Sequence, residues 1–482
     1  MHRLKQVFKN YYLLNDISGI LFWDNATNLP SKSVTARSEQ MSILSDSIDQ
    51  VLRSEDLLSE LSSVDPSNLT DADHKNLILM KNTIERENAV DPLLKSKLVK
   101  KKLICEHLWR EARENNNLSI IEKDFNDLLD LVHEEAEQIS FVTKLSPYDS
   151  LISKYDMDYN SKKIDQVFEI IKNQLIPQYL DAEKITKPYI YSFKFDEKNI
   201  LEQIKNKLSK LNFDFSRGRI DQSHHPFCGG ATEDVRITTR FENNILETLS
   251  ALFHETGHGV YEQFRPKNHL YEPIGQSRSL SIHESQSLFY ENHIFKSKGY
   301  FNSIKKLFEN SEDLEKSFID HYHKIRINPI RVSSDEFSYP IHVFIRYEIE
   351  KIIFSQKIKL TDIRNLWNTN YKDFLAIDLS SESEGVLQDI HWYEGIFGYF
   401  PTYALGAMTA SQLKYSCPPY DEFLNKPNDD NTQNIAKWLN SNIHQNGSLY
   451  SSSEMLQNIS GEPLNSNYYL KHLTSRFFNE LH

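Results

Sequence analysis

The stretch from Asn243 to Gln263 carries two patterns that an α-helix satisfies together. Apolar residues recur along it at helical spacing, namely Ile245, Leu246, Leu249, Leu252, Phe253, Val260 and Tyr261. Asparagine, a favoured N-cap residue, begins the stretch. Within it, His254 and His258 are four residues apart, so on a helix both imidazoles project from one face and can reach a single ion. A second element must therefore pack against this face to complete a site.

Glu255 completes an HExxH motif, His254-Glu255-Thr256-Gly257-His258. On a helix Glu255 is rotated away from the two histidines but stays near the ion, where its carboxylate can hold and deprotonate a bound water. A catalytic zinc ion keeps one position open for water and lowers the water pKa to about 7. Gly257 and Gly259 each cost about 1 kcal/mol relative to alanine inside a helix, so we expect another element to approach closely there. The alternative is a chance HExxH on an ordinary amphipathic helix.

The third protein ligand must come from further along the chain. The downstream carboxylates and imidazoles are Glu262, His269, Glu272, His283, Glu284, Glu291 and His293. Glu262 lies one turn beyond His258 on the same helix, which is poor geometry for a tetrahedron. Residues Ser279 to Lys296 are predicted to form a helix, and Glu284 near its start can face both histidines. This gives the two-histidine, one-glutamate set of catalytic zinc sites. His283 projects about 100° away from Glu284 and is predicted to support the ligands from behind.

The rest of the chain contains few residues that break helices. There are 14 glycines and 16 prolines in 482 residues, which favours a mostly helical protein. The part up to about Lys187 is predicted to form long helices, with apolar positions such as Leu93, Leu94 and Ile104. A loop is predicted at Ser146-Pro147-Tyr148-Asp149.

No stretch has the composition of a flexible interdomain linker. We therefore predict a mostly α fold in which residues 1–482 form one catalytic domain with a deep cleft and a small β element beside the metal helix. The N-terminal helices, to about residue 187, are predicted to form a wall or lid over the cleft.

Charge and cysteine content exclude several classes of protein. The formal net charge of −13 argues against a nucleic-acid partner, and the basic run from Lys95 to Lys102 is interpreted as the solvated face of a helix. Cys105, Cys228 and Cys417 lie far apart without CxxC spacing, so we predict neither a disulfide framework nor a cysteine zinc site. No apolar run approaches the roughly 18 residues of a membrane span, and the N-terminus lacks a signal-peptide core. We expect a cytoplasmic protein without a membrane partner.

Six short motifs occur along the chain in a fixed order. They are HPF at His225–Phe227, DxRxT at Asp234–Thr238, HExxH at His254–His258, HESQ at His283–Gln286, IRVSSD at Ile330–Asp335, which is similar to IRxxAD, and GxxQDxHW at Gly385–Trp392. In these motifs the chain resembles the carboxypeptidase Taq family of metallocarboxypeptidases over most of its length. The stretch from Leu21 to Pro30, with Arg37 and Gln40, is similar to the family's opening. Departures at Phe264, Ser281, Leu288–Tyr290 and Ser334 concern pocket detail and substrate preference.

The resemblance implies a mostly helical fold with a long deep cleft, homodimeric assembly, and removal of single residues from the C-termini of peptides. It implies Zn²⁺ as cofactor, with Co²⁺ or another divalent metal as alternatives, and Glu284 as the third ligand. One rival interpretation is a related helical metallo-endopeptidase or dipeptidyl carboxypeptidase. The other is a catalytically inactive, metal-stabilised binding protein, which the intact His-Glu-His-Glu set disfavours.

A carboxypeptidase must recognise the free carboxylate of its substrate, and a planar arginine fork does this best. Arg331 is assigned this role because its motif resembles the family's carboxylate-binding segment, and Arg236 and Arg346 are the rivals. Gln388 is assigned to the same substrate-binding set, where it and Asp389 orient neighbouring side chains.

The alternation of polar and apolar residues from Arg236 to Phe241 predicts a short strand just before the metal helix. We interpret it as an edge strand that pairs with the substrate backbone, and we assign Asp234 and Arg236 to the substrate-binding set. Alternatively, Asp234 and Arg236 pair with neighbours and brace the strand. The alternative is a hairpin strand without substrate contact.

The tetrahedral intermediate of peptide hydrolysis needs hydrogen-bond donors for its oxyanion. An imidazole or a phenol can donate such a bond. The candidates are His225, His391 and Tyr403, and the sequence leaves the choice among them open.

Overall fold

The structure is a computed structural model that describes residues 1–53, 55–191, 197–223, 225–241, 244–308 and 311–479. Most of these residues are helical, and one small sheet is present. The predicted mostly α fold with a small β element is therefore confirmed. In chain order the α-helices are α1 His2–Thr27, α2 Val34–Val51, α3 Glu55–Ser63, α4 Asp71–Ala89, α5 Pro92–Glu114, α6 Glu122–Thr143, α7 Pro147–Tyr155, α8 Ser161–Ile170, α9 Ile176–Asp181, α10 Glu197–Lys210, α11 Ile245–Gln263, α12 Leu280–Leu288, α13 Lys298–Ile304, α14 Ser311–Tyr322, α15 Tyr339–Gln356, α16 Leu360–Leu375, α17 Pro401–Ser416, α18 Pro418–Asn425, α19 Asp429–Asn442, α20 Ser452–Ser460 and α21 Asn467–Thr474.

The chain divides into two compact units, each made of three separate stretches. The first unit comprises residues 1–88, 190–317 and 409–463, and the second comprises residues 89–189, 318–408 and 464–482. The prediction that the whole chain acts as one catalytic domain, with its N-terminal helices as a wall or lid, stays a prediction. Among the described residues, no helix combines the length and apolar character that crossing a membrane requires.

The sheet of the first unit has the order β1-β3-β2, with β1 at Gly218–Gln222, β2 at Cys228–Ala231 and β3 at Asp234–Thr239. β3 is parallel to β1 and antiparallel to β2. The predicted strand therefore exists, but its assignment as an edge strand is wrong, because β3 has a neighbour on both sides. It pairs with β2 across a two-residue turn, as the hairpin alternative has it. The outer strands escaped detection because Gly218 and the Cys-Gly-Gly-Ala sequence of β2 carry little strand signal.

α11 is the predicted metal helix. Asn244 caps its N-terminus by accepting a hydrogen bond from the backbone N–H of Leu246 at 3.2 Å, whereas Asn243 lies outside the described residues. All seven apolar residues of the predicted buried face are buried. Burial of this face is what holds α11 against its neighbours, since the hydrophobic effect drives it inward.

α12 packs on α11, and a π-helical segment, Phe289–Phe295, continues it. Ser279 caps α12 by accepting a hydrogen bond from the N–H of Ile282 at 3.3 Å. The helix predicted from Ser279 to Lys296 is thus present, and its second half is π-helical. Such segments often occur at functional sites.

Gly257 lets α11 and α12 meet backbone to backbone. A Cβ atom at Gly257 would lie 2.4 Å from the carbonyl oxygen of Gln286 and 2.6 Å from the Cα atom of Ser287. A Cβ at Gly259 would lie 2.7 Å from the ring of Phe213. The close approach that the two glycines predicted is therefore present on both sides of α11.

Gly257→Ala is expected to destabilise the protein by about 1–3 kcal/mol, because the added methyl group would push α12 away. Helix propensity alone predicts the opposite sign, a gain of about 1 kcal/mol. Thermal and denaturant unfolding of the metal-free protein measure the difference. A stabilised variant would contradict the packing described here.

In the second unit, α5 packs on α6, and Lys101 Nζ donates to Asp124 and Asp127 at 2.9 and 3.0 Å. Leu94 is buried as predicted, whereas Leu93 and Ile104 are exposed. The three cysteines are free, in agreement with the prediction that no disulfide framework is present.

Candidate metal centre

Two helices of the first unit bring the three predicted ligands together. His254 and His258 lie on α11 and Glu284 lies in the second turn of α12. The Nε2 atoms of His254 and His258 are 3.8 and 3.6 Å from Glu284 Oε2, and one ligand atom from each of the three residues lies within 4.8 Å of the others. A tetrahedral ion with bonds of about 2.0–2.1 Å requires separations of roughly 3.3 Å. The donor set and its spacing fit a divalent metal ion.

His254 is oriented by a carboxylate behind it. Its Nδ1 atom lies 2.8 Å from Glu291 Oε2, so with a proton on Nδ1 the ring turns its Nε2 lone pair toward Glu284. The other oxygen of Glu291 accepts hydrogen bonds from Ser250 Oγ and Lys296 Nζ, both at 2.7 Å. This arrangement is the carboxylate–histidine–metal support found at many metal sites.

His258 is supported differently, through a second imidazole. Its Nδ1 atom lies 2.6 Å from Nδ1 of His283, so the two rings meet edge to edge, with centroids 4.5 Å apart and planes inclined by 28°. His283 Nε2 in turn lies 2.9 Å from Glu262 Oε1. Arg265 Nε lies 3.0 Å from the other oxygen of Glu262. His283, which the sequence predicted to stand behind the ligands, therefore contacts His258.

The electrostatics of the centre favour a cation. Burial alone would lower the pKa of His254, but the carboxylates of Glu284 and Glu291 raise it to about 10. Burial lowers the pKa of His258 well below its usual value, and the positive charge of His254 adds to the effect. His258 is therefore a neutral imidazole near pH 7, which is the form that binds metals.

Glu255 is 7% exposed and lies beside the ligand cluster on α11. Burial raises its pKa to about 7, the charge of His254 opposes this, and the carboxylates of Glu284 and Glu291 add to it. A carboxylate with a pKa near neutrality can both accept and return a proton at physiological pH.

The predicted carboxylate-binding residue, Arg331, lies in the second unit and is buried. Its Nε and Nη2 atoms donate to Asp389 Oδ1 at 3.1 and 2.8 Å, and its Nη1 atom donates to the Tyr339 hydroxyl at 2.8 Å. Arg346 donates to the other oxygen of Asp389 at 2.6 Å and to Gln388 Oε1 at 2.8 Å. Burial opposes ionisation of Asp389, but the two guanidinium groups lower its pKa. Asp389 thus accepts hydrogen bonds from both guanidinium groups, and Gln388 accepts one from Arg346.

Two of the predicted oxyanion donors, His391 and Tyr403, are neighbours in the second unit. His391 Nε2 lies 3.3 Å from the Tyr403 hydroxyl. Burial lowers the pKa of His391 to about 4, so its ring is neutral near pH 7 and has one N–H to donate. His225, the third candidate, is exposed and lies just before β2 in the first unit.

Asp234 and Arg236, the remaining predicted site residues, bind each other. Arg236 Nε and Nη2 donate to the two oxygens of Asp234 at 3.0 and 2.6 Å. The guanidinium also lies over the Trp23 ring, 5.9 Å from its centroid. This fork is occupied by a neighbour on the same strand, which supports a bracing role.

From the sequence, Glu262 and Glu291 are candidates only as metal ligands. Their contacts with the imidazoles of His283 and His254 are not predicted. One signal was available for Glu291, since it follows Glu284 by seven residues and residues seven apart share a helix face. Glu284 on α12 and Glu291 on its π-helical continuation therefore lie at opposite edges of the His254 ring. Glu284 lies near Nε2 and Glu291 near Nδ1.

A helix pair with a two-histidine, one-glutamate donor set and a buried glutamate beside it defines a metallopeptidase-type centre. The model of the carboxypeptidase Taq (M32) metallopeptidase family matches residues 3–477. Carboxypeptidase 1 of Bacillus subtilis (strain 168) is 30% identical, over 95% of this chain and 94% of that protein. The chain belongs to the carboxypeptidase Taq (M32) metallopeptidase family, and it is a metal-dependent carboxypeptidase by that membership.

Two further relatives agree with this assignment. Thermostable carboxypeptidase 1 of Pyrococcus furiosus is 28% identical over 98% of both chains. The solved structure of Trypanosoma cruzi metallocarboxypeptidase 1 superposes with a TM-score of 0.91, at 29% identity over 99% of each chain. The resemblance inferred from six motifs is confirmed.

Proposed function

We propose that this protein is a zinc-dependent carboxypeptidase that releases single amino acids from the C-termini of peptides. The observation that carries the proposal is the convergence of His254, His258 and Glu284 next to the buried Glu255. Zinc bound there would polarise the scissile carbonyl and lower the pKa of a water molecule. Co²⁺ or another divalent ion would suit the same nitrogen and oxygen donors.

Glu255 acts as the general base and then as the general acid. Its carboxylate takes a proton from the attacking water and returns a proton to the leaving amine, so one residue serves both half-steps. The raised pKa of Glu255 supports this role, because a strongly acidic carboxylic acid would be a poor base. His225, His391 and Tyr403 are the proposed donors to the oxyanion.

Arg331 holds the terminal carboxylate of the substrate. Asp389 and Tyr339 fix its guanidinium plane, and a fixed plane makes a bidentate contact specific. The side chain of Arg331 is 5% exposed, so binding requires the groups around it to open or rearrange. Arg331 and Arg236 are both paired with a carboxylate, and Arg346 is fully buried, so the motif that contains Arg331 is what favours it over the other two.

Homodimeric assembly and a cytoplasmic location belong to the same proposal. The assembly follows from the family resemblance, and the location follows from the three isolated, unpaired cysteines. Sedimentation of the purified protein tests the assembly, and fractionation of the native cells tests the location.

A comparison of two peptides that differ only at the C-terminus tests the proposed exopeptidase activity. One ends in a free carboxylate and the other in an amide, and products are identified by mass over time. We expect stepwise loss of single residues from the free acid and almost no reaction of the amide. Internal fragments from both peptides would support an endopeptidase, and loss of residue pairs would support a dipeptidyl carboxypeptidase.

Arg331→Ala is expected to lower kcat/KM for the free acid about 100-fold, because a charge-assisted contact worth about 1.5–3 kcal/mol is lost. Arg346 still pairs with Asp389, so the variant should fold. Arg331→Lys should recover only part of the activity, since lysine lacks the fork. Metal content should be unchanged in both variants.

The amide peptide supplies the second arm of a double-mutant cycle for Arg331. If Arg331 reads the terminal carboxylate, its removal should cost little further with the amide, which already lacks the contact. Additive losses would show that another residue reads the terminus, and Arg236 would be the next candidate.

A further inference from the structure

The two histidine ligands are supported by different groups. Nδ1 of His254 faces a carboxylate oxygen, whereas Nδ1 of His258 faces another ring nitrogen, Nδ1 of His283, at 2.6 Å. An ionised carboxylate oxygen carries no proton, so it always accepts a hydrogen bond. A neutral imidazole nitrogen accepts only when its proton is on the other nitrogen. This contact of His258 therefore depends on where the proton of His283 sits, while the backbone of His283 makes a second hydrogen bond to His258.

Metal binding by His258 determines which nitrogen of each histidine carries the proton. For Nε2 of His258 to offer its lone pair to a metal, the proton of His258 must be on Nδ1. Nδ1 of His283 must then accept, which places the proton of His283 on Nε2. That atom lies 2.9 Å from Glu262 Oε1, and an ionised carboxylate only accepts. Every donor in the series therefore meets an acceptor.

Glu262 is held in its acceptor state from the other side. Arg265, which is 5% exposed, places Nε 3.0 Å from Glu262 Oε2. Burial alone would raise the pKa of Glu262, but Arg265 and hydrogen bonds from His283 and Ser277 lower it to about 2. The contact is an ion pair in which Arg265 Nε–H makes no hydrogen bond to a described residue, and the positive charge of the guanidinium favours an oxygen at this position.

We propose that Glu262 and His283 are positioning residues that fix the tautomer of His258 and so present its Nε2 lone pair to the metal. The inference rests on the proposed function, because it takes His258 as a ligand. It assigns the HESQ histidine a role distinct from that of the adjacent ligand, Glu284.

Two substitutions of Glu262 distinguish a role in fixing the tautomers of His283 and His258 from a role as a negative charge alone. Glu262→Ala removes the carboxylate and leaves His283 free to adopt the tautomer that His258 needs. Glu262→Gln removes the same charge but keeps the shape. Arg265 draws the amide oxygen to itself, so the amide N–H₂ faces His283 and demands an acceptor at Nε2. The proton of His283 then moves to Nδ1, where it opposes the Nδ1 proton of His258.

The hydrogen-bond series from Glu262 through His283 to His258, here called the relay, predicts an unusual order of Zn²⁺ affinities. The isosteric Glu262→Gln should bind Zn²⁺ more weakly than Glu262→Ala. We expect Zn²⁺ affinity to fall about 10-fold in Glu262→Ala and about 100-fold in Glu262→Gln, within the range known for outer partners of metal-bound histidines. If Glu262 acts only as a negative charge, the two variants should lose equal Zn²⁺ affinity. A purely structural role predicts the larger loss in alanine, which leaves a cavity.

The experiment measures Zn²⁺ affinity of the full-length protein by competition with a chromogenic chelator. Thermal unfolding of the metal-free variants runs alongside, and the visible spectrum of the Co²⁺-loaded proteins reports the ligand geometry. Glu247→Gln, which removes the same charge from an exposed position of the same helix, is the matched control and should behave as wild type.

Weaker Zn²⁺ binding by Glu262→Gln than by Glu262→Ala, with metal-free unfolding midpoints that are similar in the two variants, supports the relay. Both variants should unfold below wild type, because each removes the carboxylate that pairs with the buried Arg265. Equal losses, a larger loss in alanine, or losses that follow the unfolding midpoints overturn it. His258→Ala separates this failure from failure of the proposed function. If that variant binds Zn²⁺ as tightly as wild type, His258 is not a ligand and the metal site itself is wrong.

Discussion

Glu255→Gln is expected to lose nearly all turnover while it keeps its metal. The amide has the shape of the carboxylate but cannot take a proton from the attacking water, so kcat should fall by about 10²–10⁴-fold. Glu255 is not one of the three clustered ligands, so metal binding should survive. The loss should appear in kcat rather than in KM, because the missing interaction acts in the transition state.

Elemental analysis of the purified variant, together with single-turnover kinetics, measures both parts of this expectation. Glu247→Gln on the exposed side of α11 serves as the control for loss of one helix charge. A metal-replete Glu255→Gln that turns over substrate near the wild-type rate would overturn the role assigned to Glu255.

Glu284→Ala is expected to lose both metal and activity. Its carboxylate is the one donor that α12 supplies to the cluster, and two imidazoles on one helix cannot complete a tetrahedron. Metal affinity should therefore fall by more than the roughly 10–100-fold that accompanies loss of an outer partner. Added Zn²⁺ at high concentration should restore only part of the activity.

Glu291→Ala is the matched comparison, since it removes a carboxylate that contacts His254 from behind. It should lose less metal affinity than Glu284→Ala. The third ligand is misassigned if Glu284→Ala keeps its full metal content while Glu262→Ala or Glu291→Ala does not. Chelator competition on the three variants decides between these outcomes.

The metal helix and its partner were predictable because their signals are local. Helical periodicity, the i, i+4 histidines and the two glycines all lie within α11, and each has a physical consequence that does not depend on distant residues. The buried face of α11 and the close approach at Gly257 follow from the same local rules.

The sheet was predicted only in part because its outer strands lack the usual strand residues. β3 has the alternation of a strand, but the glycines of β2 suggest a turn when they are considered alone. The predicted loop at Ser146-Pro147 is in fact the start of α7, with Ser146 accepting from the N–H of Asp149 at 3.1 Å. Proline at the first helical position after a serine cap is a start signal, and it was interpreted as a break.

The contacts around Arg331 could not be derived from sequence, because Asp389 follows it by 58 residues. A buried arginine needs a partner, yet many carboxylates in the chain could provide one. The same holds for His258 and His283, which are 25 residues apart. The family motifs marked these residues as important without indicating what they contact.

Removal and stepwise return of the metal test whether one ion held by His254, His258 and Glu284 is required for cleavage. The wild-type protein is stripped with a chelator, and Zn²⁺ is added back while release of the C-terminal residue from a free-acid peptide is followed. Activity should vanish in the stripped protein and return in proportion to added Zn²⁺, with a break at one ion per chain. Cleavage that persists in fully stripped protein, or that returns equally in a His258→Ala variant, would contradict the account.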